Sequence, residues 1–247
     1  MLRICFWYNV PLAVCLVLSA CSSPAPSPTA SPPVLRTVAK TGTQSVLPVS
    51  SADQTVAQPV LKEGQKWAFR RVDLWRNEVV ERFEQELRLK EGERWTVQWR
   101  ITETGDPQRR GSITGEYMDG NSLAFFDPKA TGRHIPLSFP LSVGKKWSFN
   151  YIYNPQAGRQ LKIEQSATVA GWENVKVPAG SFRALKVVHE AIYHAFDAGL
   201  GSWTGRIQET YWYAPDARRV VKMEYRDTKG DGTTWDHWRD ELVEMKL

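Results

Sequence analysis

The feature that most constrains this chain is the strict alternation between Glu93 and Thr102. Trp95, Val97, Trp99 and Ile101 fall on one side, and Arg94, Thr96, Gln98, Arg100 and Thr102 fall on the other. Successive side chains of a β-strand point to opposite faces, so this segment reads as a strand with one buried and one wet face. A preceding strand over Val79–Lys90 buries Phe83, Leu87 and Leu89, with Glu91-Gly92 as the turn between them. Further strands are expected at Trp147–Tyr153, Leu161–Val169, Glu173–Val177, Phe182–Tyr193, Ile207–Tyr213, Arg219–Arg226 and Thr234–Val243. Turn signals separate most of them, at Asn154-Pro155, Ala170-Gly171, Pro178-Ala-Gly180 and Lys229-Gly-Asp-Gly232. No helical period extends beyond two turns. The expected fold class is all-β: a single antiparallel curved sheet, half-barrel or barrel with little helix.

An internal echo subdivides that sheet. Leu61-Lys-Glu-Gly64-Gln-Lys-Trp67-Ala-Phe69 matches Leu141-Ser-Val-Gly144-Lys-Lys-Trp147-Ser-Phe149 at a spacing of 80 residues. Glu84-Gln85 and Glu164-Gln165 keep the spacing, as do Glu93 and Glu173. Phe125-Phe126-Asp127-Pro128 resembles Trp212-Tyr213-Ala214-Pro215 at 87. Two quasi-repeated β units, about 61–135 and 141–247, account for the pattern. The eleven tryptophans serve mainly such a core.

The first sixty residues differ from the rest. Residues 1–20 carry Arg3 and a nine-residue apolar run, Val10–Leu18, too short to cross ~30 Å of hydrocarbon as a helix. They read as a signal peptide. Its end, Leu18-Ser19-Ala20-Cys21, resembles a bacterial lipobox, which implies cleavage before Cys21, lipidation of its thiol and anchoring to a membrane. Ser22 after the cysteine resembles an outer-membrane address, implying a palmitate-bearing lipoprotein of the cell envelope that faces the periplasm. Residues 21–58 follow as a lipidated cysteine and a Pro/Ser-rich linker without hydrophobic period, expected to be disordered and to span about 35 Å as a coil. The folded domain is then 59–247.

In the second unit, Pro140-Leu-Ser-Val-Gly144-Lys-Lys-Trp147, Val175-Lys-Val-Pro178-Ala-Gly180-Ser-Phe182-Arg-Ala-Leu-Lys186, Tyr211-Trp-Tyr-Ala-Pro215 and Val220-Val-Lys222 together resemble the TapB-like family of uncharacterised bacterial secreted and lipoprotein β domains. The resemblance covers roughly residues 135–226. It implies an envelope β domain and supplies no catalytic residues. Ala217-Arg218-Arg219 stands where such domains often have glycine.

Composition narrows the function classes. The formal charge of +5 falls to +4 without the leader, and basic residues interleave with acidic ones, as in Arg82, Glu84, Glu86, Arg88 and Lys90. Phosphate backbones call for a single-sign patch, so no nucleic-acid partner is expected. All three cysteines, Cys5, Cys15 and Cys21, lie in the leader region, so the mature domain has no disulfide and no thiol nucleophile. Of His134, His189, His194 and His237, the pair His189 and His194 lies five apart and faces opposite sides of a strand, unlike the helical i, i+4 spacing of zinc proteases. Asp227-Thr-Lys-Gly-Asp231-Gly232 lacks two calcium-loop oxygens, at Lys229 and Trp238, and reads as a hairpin turn. Gly111-Ser112 and Gly180-Ser181 lack a nucleophile elbow.

Asp236, Asp240 and Glu241 offer carboxylates near Trp235 and Trp238, the one arrangement suited to glycan hydrolysis. Trp95, Trp99, Trp235 and Trp238 are the candidate ligand face. The first expectation is a non-enzymatic envelope lipoprotein without catalytic residue, metal or other cofactor, whose β domain binds or scaffolds envelope proteins or cell-wall glycan. The alternative is a lipid or lipoprotein carrier with a Trp-rich half-barrel cavity, and the third is a glycan-acting enzyme. A carrier requires an apolar cavity where a scaffold packs side chains.

Overall fold

The computed structural model describes residues 55–247. The leader, Cys21 and the linker up to residue 54 lie outside the described residues. Eleven strands form one antiparallel sheet: β1 (Lys66–Asp73), β2 (Glu78–Glu91), β3 (Arg94–Thr104), β4 (Ile113–Asp119), β5 (Ala130–Gly132), β6 (Lys146–Gln156), β7 (Arg159–Val177), β8 (Gly180–Asp197), β9 (Gly201–Ala214), β10 (Arg219–Lys229) and β11 (Thr234–Lys246). Their order is β4-β3-β2-β1-β11-β10-β9-β8-β7-β6-β5. The two edges, β4 and β5, do not pair, so the sheet is curved and open and is not a barrel. Among the described residues no helix is long and apolar enough to cross a membrane.

The alternating pattern of Glu93–Thr102 appears as expected in β3, where Trp95, Val97 and Ile101 are buried and Arg94, Arg100 and Thr102 are exposed. The expected break at Ala170-Gly171 does not end a strand. β7 continues through it for nineteen residues, and the glycine marks a register shift against β8 between Val169 and Gly171. A glycine inside a strand pattern signals a bulge as readily as a turn. Asn154-Pro155 likewise falls inside β6, at an irregularity before Gln156, and the turn comes after it. β4 and β5 carry no legible alternation in the sequence.

The two glycine turns of the echo coincide at the backbone level. Gly64 and Gly144 take φ of +82° and +84°, a left-handed conformation that favours glycine. Each glycine N–H donates across the sheet at 2.8 Å, to Leu87 O and Val169 O, and those residues donate back at 2.9 Å to Gln65 O and Lys145 O. The tryptophans that follow diverge. Trp67 is fully buried with its Nε1 donating to Ala217 O at 2.9 Å, whereas Trp147 is half-buried and donates to Ile135 O at 3.0 Å.

Two stretches outside the ladder fill the concave face. After β4 the chain turns back along its free edge, with Asp119 N–H donating to Ala124 O and Phe126 N–H to Tyr117 O, both at 2.8 Å, and its Leu123 and Ala124 are buried. After β5, residues 133–141 run as a strap over β6, β8 and β9, burying Leu137 and Leu141 completely. Leu141 exchanges backbone hydrogen bonds with Val56, at 2.7 and 2.8 Å. The packed body therefore reaches back to Val56, inside the span expected to be linker.

Candidate functional site

The strap is fastened by a polar row on the concave face. In the β7–β8–β9 register Ala167 lies opposite His189, and His189 opposite Glu209, so both ionisable groups face inward. His134, on the strap, brings its Nε2 within 3.0 Å of Glu209 Oε2. Gln165 Nε2 donates to the same oxygen at 2.6 Å and lies 3.0 Å from His189 Nδ1. His189 Nε2 reaches Pro136 O at 3.0 Å. A carbonyl only accepts, so Nε2 carries the proton and Nδ1 accepts from Gln165. Burial drives His189 down to about 4, favouring this neutral tautomer. Burial alone raises the Glu209 carboxyl, but the facing His134 charge and the hydrogen bonds from His134 and Gln165 hold it below its ordinary range.

His134, His189 and Glu209 place metal-ligand atoms within 4.8 Å of one another. Each of these side chains is already engaged, with one another, with Gln165 or with the strap carbonyl, and the row works as a latch between strap and sheet.

Beside the strap lies a half-open cavity of about 270 Å³. Its walls are mainly rings: Phe69, Phe83 and Trp99 from β1–β3, Phe125 from the fold-back, Tyr151 and Tyr153 from β6. Phe69 and Phe83 stack at 5.4 Å, Phe83 and Trp99 at 4.9 Å, and Trp99 meets the edge of Phe125 at 5.3 Å. Two arginines on the wall have carboxylate partners: Arg71 donates to Asp240 through Nε at 2.8 Å and Nη2 at 2.7 Å, and Arg133 pairs with Asp119. The third, Arg219, is different. It is buried, donates to Gln85 Oε1 and, at 2.8 Å, to Met118 Sδ, and sits 5.3 Å from the centres of both Trp67 and Phe125.

Of the four tryptophans expected to form one ligand face, Trp99 and Trp238 line this cavity. Trp238 stacks on Tyr225 at 5.1 Å and carries the Arg71 guanidinium 3.9 Å above its ring. Trp95 is buried against Gly120. Trp235 falls at a register irregularity of β11, between the pairs Thr228 with Thr234 and Asp227 with Asp236, and is exposed, off the cavity wall, with Lys229 Nζ 3.7 Å over its ring. The proposed carboxylates also part. Asp240 pairs with Arg71, and Glu241 takes Arg70 at 2.7 Å and Arg239 at 2.8 Å. Asp236 lies across from Asp227, and burial raises both to about 6. His194 is exposed while His189 is buried, as opposite sides of β8 require. Gln165, Glu209 and Arg219 were not singled out from the sequence. The Glu-Gln echo at 84–85 and 164–165 was the available signal, since Gln85 and Gln165 are both buried at the site.

No protein-family model matches the chain, and no curated protein matches it. The resemblance to the TapB-like family thus stays a resemblance of motifs. Among solved structures, a candidate lipoprotein from Parabacteroides distasonis aligns with a TM-score of 0.48 at 11% identity, over 78% of this chain and 100% of that one. An exported protein with YmcC-like fold from Bacteroides fragilis gives 0.47 at 12%, with 78% and 100% covered. The hypothetical lipoprotein YmcC of Escherichia coli gives 0.40 at 11%, with 76% and 86% covered.

Proposed function

We propose that the chain is a lipid-anchored lipoprotein of the bacterial envelope, held at the outer membrane on the periplasmic side, whose β domain is a non-enzymatic binding module for a small, largely apolar molecule. The observation that carries the binding reading is the ring-lined cavity of about 270 Å³ beside the strap. A pure scaffold, docking envelope proteins or glycan on its outer surface, has no need of such a space. The volume falls just below the ~300–1,000 Å³ of pockets for drug-sized ligands, so the occupant is a small molecule or one end of a longer one, not a two-chain lipid. Anchoring is supported by Leu18-Ser-Ala-Cys21. The non-enzymatic reading is supported by three ionic pairs at the cavity, His134 with Glu209, Arg71 with Asp240 and Arg133 with Asp119, which leave no free carboxylate–histidine set there for acid–base work among the described residues.

Native mass spectrometry of the full chain extracted from membranes tests the binding reading. Wild type is expected to carry a small non-covalent mass. Ala130→Trp, which fills the cavity from its half-buried β5 wall, is expected to lose that mass with a melting temperature close to wild type. An empty wild type, or a variant that retains the mass, contradicts the reading.

A further inference from the structure

Arg219 is the one cavity-lining arginine that makes no ion pair with a carboxylate among the described residues. Its partners are an amide oxygen, a thioether sulfur and two ring faces, all uncharged. A buried charge without a counter-charge is expensive, and such groups are normally paired. Among the described residues no carboxylate on or beside the wall pairs with it: Asp240 is taken by Arg71, Asp119 by Arg133 and Glu209 by His134 and Gln165, while Asp127 accepts from the Lys129 amide at 2.8 Å.

A second unmet donor stands on the same wall. Trp99 lines the cavity, and its buried Nε1–H has no acceptor. The Trp99 and Arg219 groups share one ring between them, Phe125, at 5.3 Å from each. The same cavity thus combines an apolar body lined by Phe69, Phe83 and Tyr153 with a cation and a donor that both lack an anionic acceptor.

Resting on the binding reading above, we propose that the ligand is an anion-headed amphiphile, a carboxylate or phosphate on a single short apolar body, with Arg219 as its charge partner and Trp99 as a second donor. The guanidinium presents parallel N–H groups to either head group. Arg71 and Arg133 stay neutralised by their own aspartates, so the specificity for an anion is carried by Arg219.

The test compares octanoate, octyl phosphate and octanol, titrated against the full lipidated chain in nanodiscs with empty nanodiscs as the reference. The readout is tryptophan emission. Octanoate or octyl phosphate is expected to bind at least tenfold more tightly than octanol, and the stronger of the two identifies the head group. Arg219→Met should erase the difference, bringing all three to the octanol affinity while the apo protein melts no lower than wild type, since an unpaired buried charge is replaced by an apolar chain of similar length. If none of the three binds, the binding reading itself fails. If octanol binds as well as the anions, or if Arg219→Met preserves the preference, the cavity is a binding site and the anion assignment is wrong. A second variant, Trp99→Phe, keeps the ring and removes the donor. It should weaken the anions severalfold and leave octanol unchanged, and equal loss for all three would overturn the donor role.

Discussion

His134 Nε2, on the strap, lies 3.0 Å from Oε2 of Glu209 on β9, and this contact ties a segment outside the ladder to the centre of the sheet. Glu209 is 1% exposed, so it depends on this partner and on Gln165 for its charge to be tolerated. Glu209→Ala should destabilise the protein by about 2–4 kcal/mol, because it leaves Gln165 and His134 without their acceptor. Hydrogen exchange should localise the damage to the strap, with faster exchange at the Leu141 and Val56 amides that bond each other. Unchanged protection there would show that the strap is held by its buried leucines alone.

The pH dependence has two opposed sources. His189 titrates near 4 when folded, against about 6.5 when unfolded, so its contribution is present above 6.5 and lost as pH falls from there toward 4. Asp227 and Asp236 are raised to about 6, first by burial, with the facing Asp236 charge adding to the rise of Asp227 and the Asp73 charge to that of Asp236. Their contribution is present below about 4 and is lost as pH rises through 6. Asp236→Asn should therefore stabilise the protein at pH 8 by about 1 kcal/mol, an amount discounted for its partial exposure, and the gain should vanish at pH 4. Urea unfolding of both proteins at the two pH values checks the sign. A gain that is equal at both would remove the carboxyl pair as its cause.

The paired units predict paired but unequal costs. Trp67→Ala empties a fully buried site and should cost roughly 3–5 kcal/mol. Trp147→Ala, half-buried, should cost less, about 2 kcal/mol, and should loosen the strap through the lost bond to Ile135 O. Lys146→Ala, on the exposed face, should stay within about 0.5 kcal/mol in chemical denaturation. Equal losses for the two tryptophans would mean that the units are equivalent in packing as well as in backbone.

Gly205 on β9 shows why a residue with no side chain was needed. A Cβ there would lie 2.2 Å from the Tyr193 hydroxyl, whose ring crosses the glycine on its way to Asp227 Oδ1 at 3.0 Å. Gly205→Ala should cost about 1–3 kcal/mol through this overlap. Restoration of stability in the double variant Gly205→Ala/Tyr193→Leu would confirm the overlap as the cause, and additive losses would refute it.

Much of this architecture was legible because two-residue periodicity survives translation into structure. Trp95, Val97 and Ile101 mark the inner face of β3, and the repeat placed Gly64 and Gly144 in matching turns. The site was far less legible. Its chemistry comes from strands distant in sequence, such as Gln85 with Arg219 and Gln165 with Glu209, and single residues of these types look like any solvated position on a β face. The candidate ring face failed to assemble as one platform for a simpler reason. Trp235 falls at a register irregularity of β11, off the cavity wall that Trp238 lines, and Trp95 is buried against Gly120.

The separation of cavity rings from Trp235 can be measured directly. With 5-fluorotryptophan incorporated into the full chain, assigned by single Trp→Phe variants, fluorine NMR reports each ring separately. On addition of a small amphiphile the Trp99 and Trp238 resonances, on the cavity wall, are expected to shift together and saturate, while exposed Trp235 stays where it is. Unmoved cavity rings, or a saturable shift confined to Trp235, would contradict a binding site on the concave face.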